Sequence, residues 1–139
     1  MLDTYVYDRA VKEMELVCST EDKRNIGTGT IMLIPCRNTG ASSITLAELV
    51  SEVNKKNFAS NERQARQLVC DQNKIINPPK GNKLFVGTRW RCQNRLLWIP
   101  YVSTLYFPNL KKTRMFLSLM NIPETLFVQH NNHYFVQID

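Results

Sequence analysis

The run Thr28–Pro35, reading TGTIMLIP, is apolar and β-branched and stops at a proline, which predicts a strand. Short apolar stretches at Thr4–Tyr7 and Glu15–Cys18 predict two more, with Glu21–Asn25 as a polar turn. After a Gly/Asn/Ser loop over Cys36–Ser43 the period changes. Leu46, Leu49, Val50 and Val53 fall at i, i+3, i+4 and i+7, the stripe of an amphipathic helix. Thr45-Leu46-Ala47-Glu48 fits a capping box that opens it, and Lys55 and Lys56 suit the negative end of its dipole. Asn57–Ser60 interrupts. Ser60 or Asn61 then caps a second helix to about Asp71, with Ala65, Leu68 and Val69 inward. Further on, Pro78–Asn82 is a tight loop, Lys83–Thr88 and Leu96–Val102 are strands, and Thr88–Arg95 is a basic link. Leu126–Gln129 and Tyr134–Ile138 flank His130-Asn131-Asn132, a hairpin signal. The expected class is α+β, mainly β-sheet with two adjacent short helices in a helix-turn-helix or winged arrangement.

The length, 139 residues, suits a single domain over 1–139, and 43% hydrophobic residues exclude a disordered tail. No apolar run reaches the ~18 residues of a membrane span. Met1-Leu2-Asp3-Thr4-Tyr5 is too polar and acidic for a signal peptide, so the expected compartment is the cytosol. Cys18, Cys36, Cys70 and Cys92 match no zinc or redox spacing, and His130-x-x-His133 lies at a polar turn. Buried reduced thiols and no metal or cofactor are expected.

Charge changes the picture more. Residues 1–54 carry five Lys/Arg and eight Asp/Glu, whereas 55–114 carry thirteen Lys/Arg against Glu62 and Asp71 alone. Residues 115–139 hold no Lys or Arg. Surfaces normally intersperse the two signs, because a one-sign field repels itself. The basic segment 55–114 therefore points to a polyanionic partner: nucleic acid, or an acidic protein. No basic amphipathic helix with large apolar residues opposite favours a membrane surface.

The same segment leaves little for catalysis. No G-x-S-x-G, P-loop or H-E-x-x-H occurs, and carboxylates that would gather around a metal are scarce. Binding, not turnover, is expected. As a helix-turn-helix, the second helix would carry Arg63, Gln64, Arg66 and Gln67 to base edges, and Lys80 and Lys83 would sit on a wing. Alternatively, two amphipathic helices pack on a sheet and these arginines are solvated. Arg89, Trp90 and Arg91 suit a narrow minor groove, with the indole stacked on a base or folded back on the core. Trp98, among Leu96, Leu97 and Ile99, is expected in the core. Lys74, Lys80, Lys83, Arg95, Lys111, Lys112 and Arg114 would neutralise phosphates.

Thr30-Ile31-Met32-Leu33-Ile34-Pro35, Lys74-Ile75-Ile76, Leu84-Phe85-Val86-Gly87-Thr88 and Trp98-Ile99 follow one another much as the short motifs of a known family do. On these, and on the terminal segment around Asn131, the chain resembles the ComK family of bacterial competence transcription factors. Gly87 stands where that family has a proline. The resemblance covers about half the chain. It implies an activator that binds AT-rich boxes, largely through the minor groove, as paired subunits. The expected function is a sequence-preferring DNA-binding regulator of transcription. The alternatives are a small inhibitor or interaction module that covers an acidic target, or an RNA-binding domain.

Overall fold

The computed structural model describes residues 2–36, 43–55, 57–122, 127–128 and 132–138. Among them are three helices, Tyr5–Val11 (α1), Leu46–Lys55 (α2) and Glu62–Cys70 (α3). Nine strands accompany these: Glu15–Ser19 (β1), Leu33–Pro35 (β2), Ser43–Ile44 (β3), Asn82–Leu84 (β4), Thr88–Arg91 (β5), Leu97–Phe107 (β6), Lys112–Ile122 (β7), Phe127–Val128 (β8) and His133–Val136 (β9). The class is α+β with strands in the majority. No helix among the described residues is long and apolar enough to cross a membrane.

Local signals place α2 and α3. Thr45 Oγ1 accepts from Glu48 N at 3.1 Å while Glu48 Oε1 accepts from Thr45 N at 3.3 Å. Asn61 and Gln64 exchange the same pair of bonds at the start of α3, at 3.0 and 3.1 Å. Such reciprocal bonds satisfy amide groups that a helix end leaves unpaired. The expected strand at Thr4–Tyr7 is instead a 3₁₀ turn, Leu2–Thr4, running into α1. Its buried positions, Asp3 and Tyr7, and the half-buried Ala10 and Val11 recur at helical spacing, not at a period of two.

β6 and β7 pair in register along all eleven residues of each, Leu97↔Ile122 to Phe107↔Lys112. β7 thus occupies one edge of β6 completely. The other edge takes β5 at Trp98 and Leu97, then β4 at Val102 and Tyr101. β4 and β5 therefore run in one direction along β6, and Phe85–Gly87 bulges out between them. β1 flanks β5, while β9 and then β2 flank β4, so the sheet divides beyond the bulge. The expected terminal hairpin is not formed among the described residues. β8 pairs with β3, and β9 pairs with β2 and β4.

Strand alternation sends side chains to two faces, each with its own core. Leu84, Val86, Leu97, Ile99 and Phe135 pack with Leu46, Leu49 and Val53 of α2. Phe85, Val102, Met115, Leu117 and Val136 pack with Tyr7 of α1 and Ala65, Leu68 and Val69 of α3. The two helices next to one another in sequence thus serve different cores. The two adjacent short helices are present, but a helix-turn-helix or winged packing is not seen among the described residues, and Lys83, expected at the tip of a wing, lies within β4.

The β5–β6 turn closes with Arg95 N donating to Cys92 O at 2.9 Å and Cys92 N donating to Leu96 O at 3.2 Å. Arg95 sits there at φ 65°. A side chain in the left-handed region costs about 1–2 kcal/mol that glycine avoids. Arg95→Gly should therefore raise stability by up to about 1 kcal/mol once glycine's unfolded-state entropy is included. Thermal unfolding midpoints of the two proteins check this.

Candidate nucleic-acid interface

The polar face of α3 is engaged with the chain itself, its glutamines within the fold and Arg63 at the surface. Gln64 is fully buried, and its Nε2 donates to Arg24 O at 3.1 Å. Gln67 pairs both backbone groups of Ile26, at 2.9 and 2.8 Å, as a strand neighbour would. Arg63 reaches Arg24 O at 2.6 Å and Asn25 Oδ1 at 3.2 Å. Arg66 is ion-paired with Asp8 at 2.5 Å and Glu62 at 3.4 Å, with its guanidinium 5.3 Å from the Tyr7 ring centre. Its hydrogen bond holds the Asp8 carboxyl below the usual carboxylate range.

The N-terminal turn of α3, which in a recognition helix contacts bases, is also enclosed. Ser60 and Asn61 are buried, Gly87 N donates to Ser60 O at 2.6 Å, and Glu62 N donates to Thr88 Oγ1 at 2.8 Å. Both glutamine amides are committed to the chain itself. The bonds from Arg63, Gln64 and Gln67 to residues 22–26 span 38 to 41 residues of sequence, so no local pattern announces them.

Trp90 is likewise fixed. Its Nε1–H donates to Tyr7 Oη at 2.8 Å, and the Tyr7 hydroxyl donates onward to Glu62. Burial, then the Glu62 bond, raise the Tyr7 pKa and keep the phenol protonated. The indole packs against the α1–α3 core, which is the folded-back alternative. Trp98, opposite Trp90 in the ladder, is half-buried rather than enclosed. Arg89 and Arg91 alternate with Trp90 and so project to the α2 side of β5. Arg114 is paired with Asp3. Lys74 is exposed two residues from Gln72, whose amide bonds both backbone groups of Met115 in β7. Arg95 is exposed at the β5–β6 turn.

The remaining basic residues meet at the end of the β6–β7 ribbon. Beyond Val102 and Leu117, β6 and β7 continue with no other strand alongside among the described residues. A concavity of about 570 Å³ opens there, lined by Lys80, Gly81, Thr104, Tyr106, Thr113 and Asn132 among others. The Tyr106 ring is 58% exposed. Lys112, the first residue of β7, pairs with Phe107 one step beyond Tyr106↔Thr113, and Lys111, at φ 48°, ends the turn before it. Lys80, Lys111 and Lys112 are exposed and have no anionic partner among the described residues.

Lys83 lies beneath, fully buried, donating to Gly81 O at 2.7 Å and Thr104 Oγ1 at 2.5 Å. Thr104 Oγ1 in turn donates to Pro79 O at 2.8 Å. Burial lowers the Lys83 pKa to about 8. Lys83 is therefore not a surface phosphate contact. It ties the loop carrying Lys80 to β6. Tyr106, Thr104 and Thr113 went unmarked in the sequence because β7 itself was not legible; Tyr106 just before Pro108-Asn109 and Lys111-Lys112 is the signal that was there.

Elsewhere, Cys36 is buried, Cys18 and Cys92 are half-buried and Cys70 is exposed, so burial of all four thiols is not what the fold provides. His133 is buried in β9, and His130 lies outside the described residues. No group of three or more His, Cys, Asp or Glu side chains is placed to hold a metal among the described residues. No family model, curated protein or solved structure matches the chain.

Proposed function

We propose that this chain binds duplex DNA with the end of the β6–β7 ribbon, as a sequence-preferring regulator of transcription and not as an enzyme. The observation that carries the reading is a two-stranded tip with three exposed lysines that have no anionic partner among the described residues: Lys80 beside the exposed Tyr106, and Lys111 and Lys112 at the ribbon's turn. A β-ribbon fits the ~12 Å major groove, and ribbon readers of either groove are known. Lysines at such a tip neutralise phosphates and release counterions, and polar Thr113 and Asn132 offer hydrogen bonds beside them. The resemblance to competence transcription factors adds AT-rich boxes, occupied by paired copies in the cytosol. Arg63, Gln64, Arg66, Gln67 and Trp90 have no part in this contact.

The exposed Tyr106 ring supports a second reading, in which an unpaired base of single-stranded DNA or RNA stacks on it. A gel-shift panel at ~50 mM salt, where phosphate contacts are strong, separates the two. Retardation of duplex, tightest for AT-rich duplex and weaker for single strands and RNA, is expected. Retardation of single strands alone would replace the duplex reading. No retardation of any nucleic acid would overturn both and leave an acidic protein as the partner.

A further inference from the structure

A second cleft, of about 490 Å³, lies on the opposite side of β5 from Trp90, between that strand and α2. Its apolar lining is Val17 of β1, Leu46, Ala47 and Val50 of α2, and Leu97 of β6. Arg89 and Arg91 line it as well, and no carboxylate does. The Arg89 side chain makes no hydrogen bond or ion pair among the described residues, and its Nε–H is buried with no acceptor. An orphaned buried donor is costly, and native folds rarely keep one without a role for it. A guanidinium presents several N–H groups in a planar fork that matches a carboxylate or phosphate. The volume falls within the ~300–1,000 Å³ of ordinary ligand clefts, which are mostly apolar with a few placed polar groups.

We propose that this cleft binds a small aliphatic anion, with its carboxylate or phosphate head on the Arg89 guanidinium and its tail against Val17, Leu46, Val50 and Leu97. Charge complementarity selects the head, and the apolar walls select a tail over a bare ion. The site adjoins Leu97, at the other end of β6 from the lysines of the ribbon end, so it stands or falls independently of DNA binding.

The test uses the full chain without nucleic acid, titrated with octanoate, octyl phosphate, octanol and propionate. The readouts are calorimetry and the NMR signal of the Arg89 Nε–H. Octanoate or octyl phosphate should bind at least about tenfold more tightly than octanol and propionate, since a charge-assisted bond or several buried methylenes each exceed a tenfold effect. Whichever of the two binds more tightly identifies the head group. The Arg89 Nε–H signal should move with the anion and not with octanol. Arg89→Met keeps the apolar stem and should lose at least about tenfold in anion affinity, with its thermal midpoint confirming that it folds. Equal binding of octanoate and octanol, no binding of either anion at millimolar concentration, or unchanged affinity in Arg89→Met would each overturn the proposal. The comparison of head groups on the unmodified protein holds even if the variant misfolds.

Discussion

Gly87→Ala is expected to destabilise the fold by about 3 kcal/mol, at the upper end of overpacking changes, read as a lowered urea midpoint with an unchanged slope. A Cβ at this position would stand 2.5 Å from Ser60 O and 2.8 Å from Thr20 Oγ1. The first of these is backbone that α3 holds in place, so it cannot swing aside. Gly87 also carries the two hydrogen bonds that seat the bulge, donating to Ser60 O at 2.6 Å and accepting from Thr20 N at 3.0 Å. Gly87→Pro, the residue of the competence family, removes the first donor as well and should cost more. Gly29→Ala is the control. Gly29 has φ 93° but no atom within 4 Å of the added carbon, so only backbone strain of about 1–2 kcal/mol applies. If Gly87→Ala matched the wild type, the docking of α3 on the bulge would be wrong.

Lys83 supplies the second large effect, through pH. Its folded pKa is about 8 against the ordinary lysine value of 10.5, because burial disfavours the charged ammonium. Between these values the unfolded chain binds more protons than the folded one, so stability rises with pH through that window. Below about pH 8 the fold carries the full cost, about 3 kcal/mol at 1.36 kcal/mol per unit. Lys83→Met removes this dependence. From about pH 7.5 to about 9.5, the wild type should gain about 2 kcal/mol relative to the variant. The range stops there because Tyr7, held protonated by burial, works in the opposite direction once unfolded tyrosine ionises. Parallel pH curves for the two proteins in urea unfolding would show that Lys83 is solvated in the native state.

The comparison of sequence with fold separates local from distant causes. The starts of α2 and α3 were legible because Thr45 with Glu48, and Asn61 with Gln64, act within one turn. β7 was not, since Met115 and Leu117 are buried on one face while Phe116, Leu119 and Met120 are half-buried beside them, which blurs a period of two. The terminal hairpin signal failed for a different reason. His133–Val136 finds its partners in Leu33–Pro35, about 100 residues away, and in Asn82–Lys83, about 50 residues away, and not in the adjacent segment. The basic segment 55–114 was legible as charge but not as a surface. Its arginines on α3 are absorbed by the 22–25 backbone, Asp8 and Glu62, Arg89 and Arg91 turn toward α2, and the ribbon end carries Lys80 beside Tyr106 with Lys111 and Lys112 at its turn.

Fluorescence anisotropy of AT-rich duplex DNA across a salt series tests the ribbon-end interface most directly, with the wild type, Lys80→Ala/Lys111→Ala/Lys112→Ala and Arg63→Ala side by side. Each phosphate contact contributes about −0.9 to the slope of log affinity against log salt. The triple variant should therefore flatten the slope by nearly three units, roughly 0.9 for each lysine. Arg63→Ala should leave it as it is, because that side chain is committed to Arg24 and Asn25. An unchanged slope in the triple variant, with a flattened one in Arg63→Ala, would contradict the assignment and return recognition to α3.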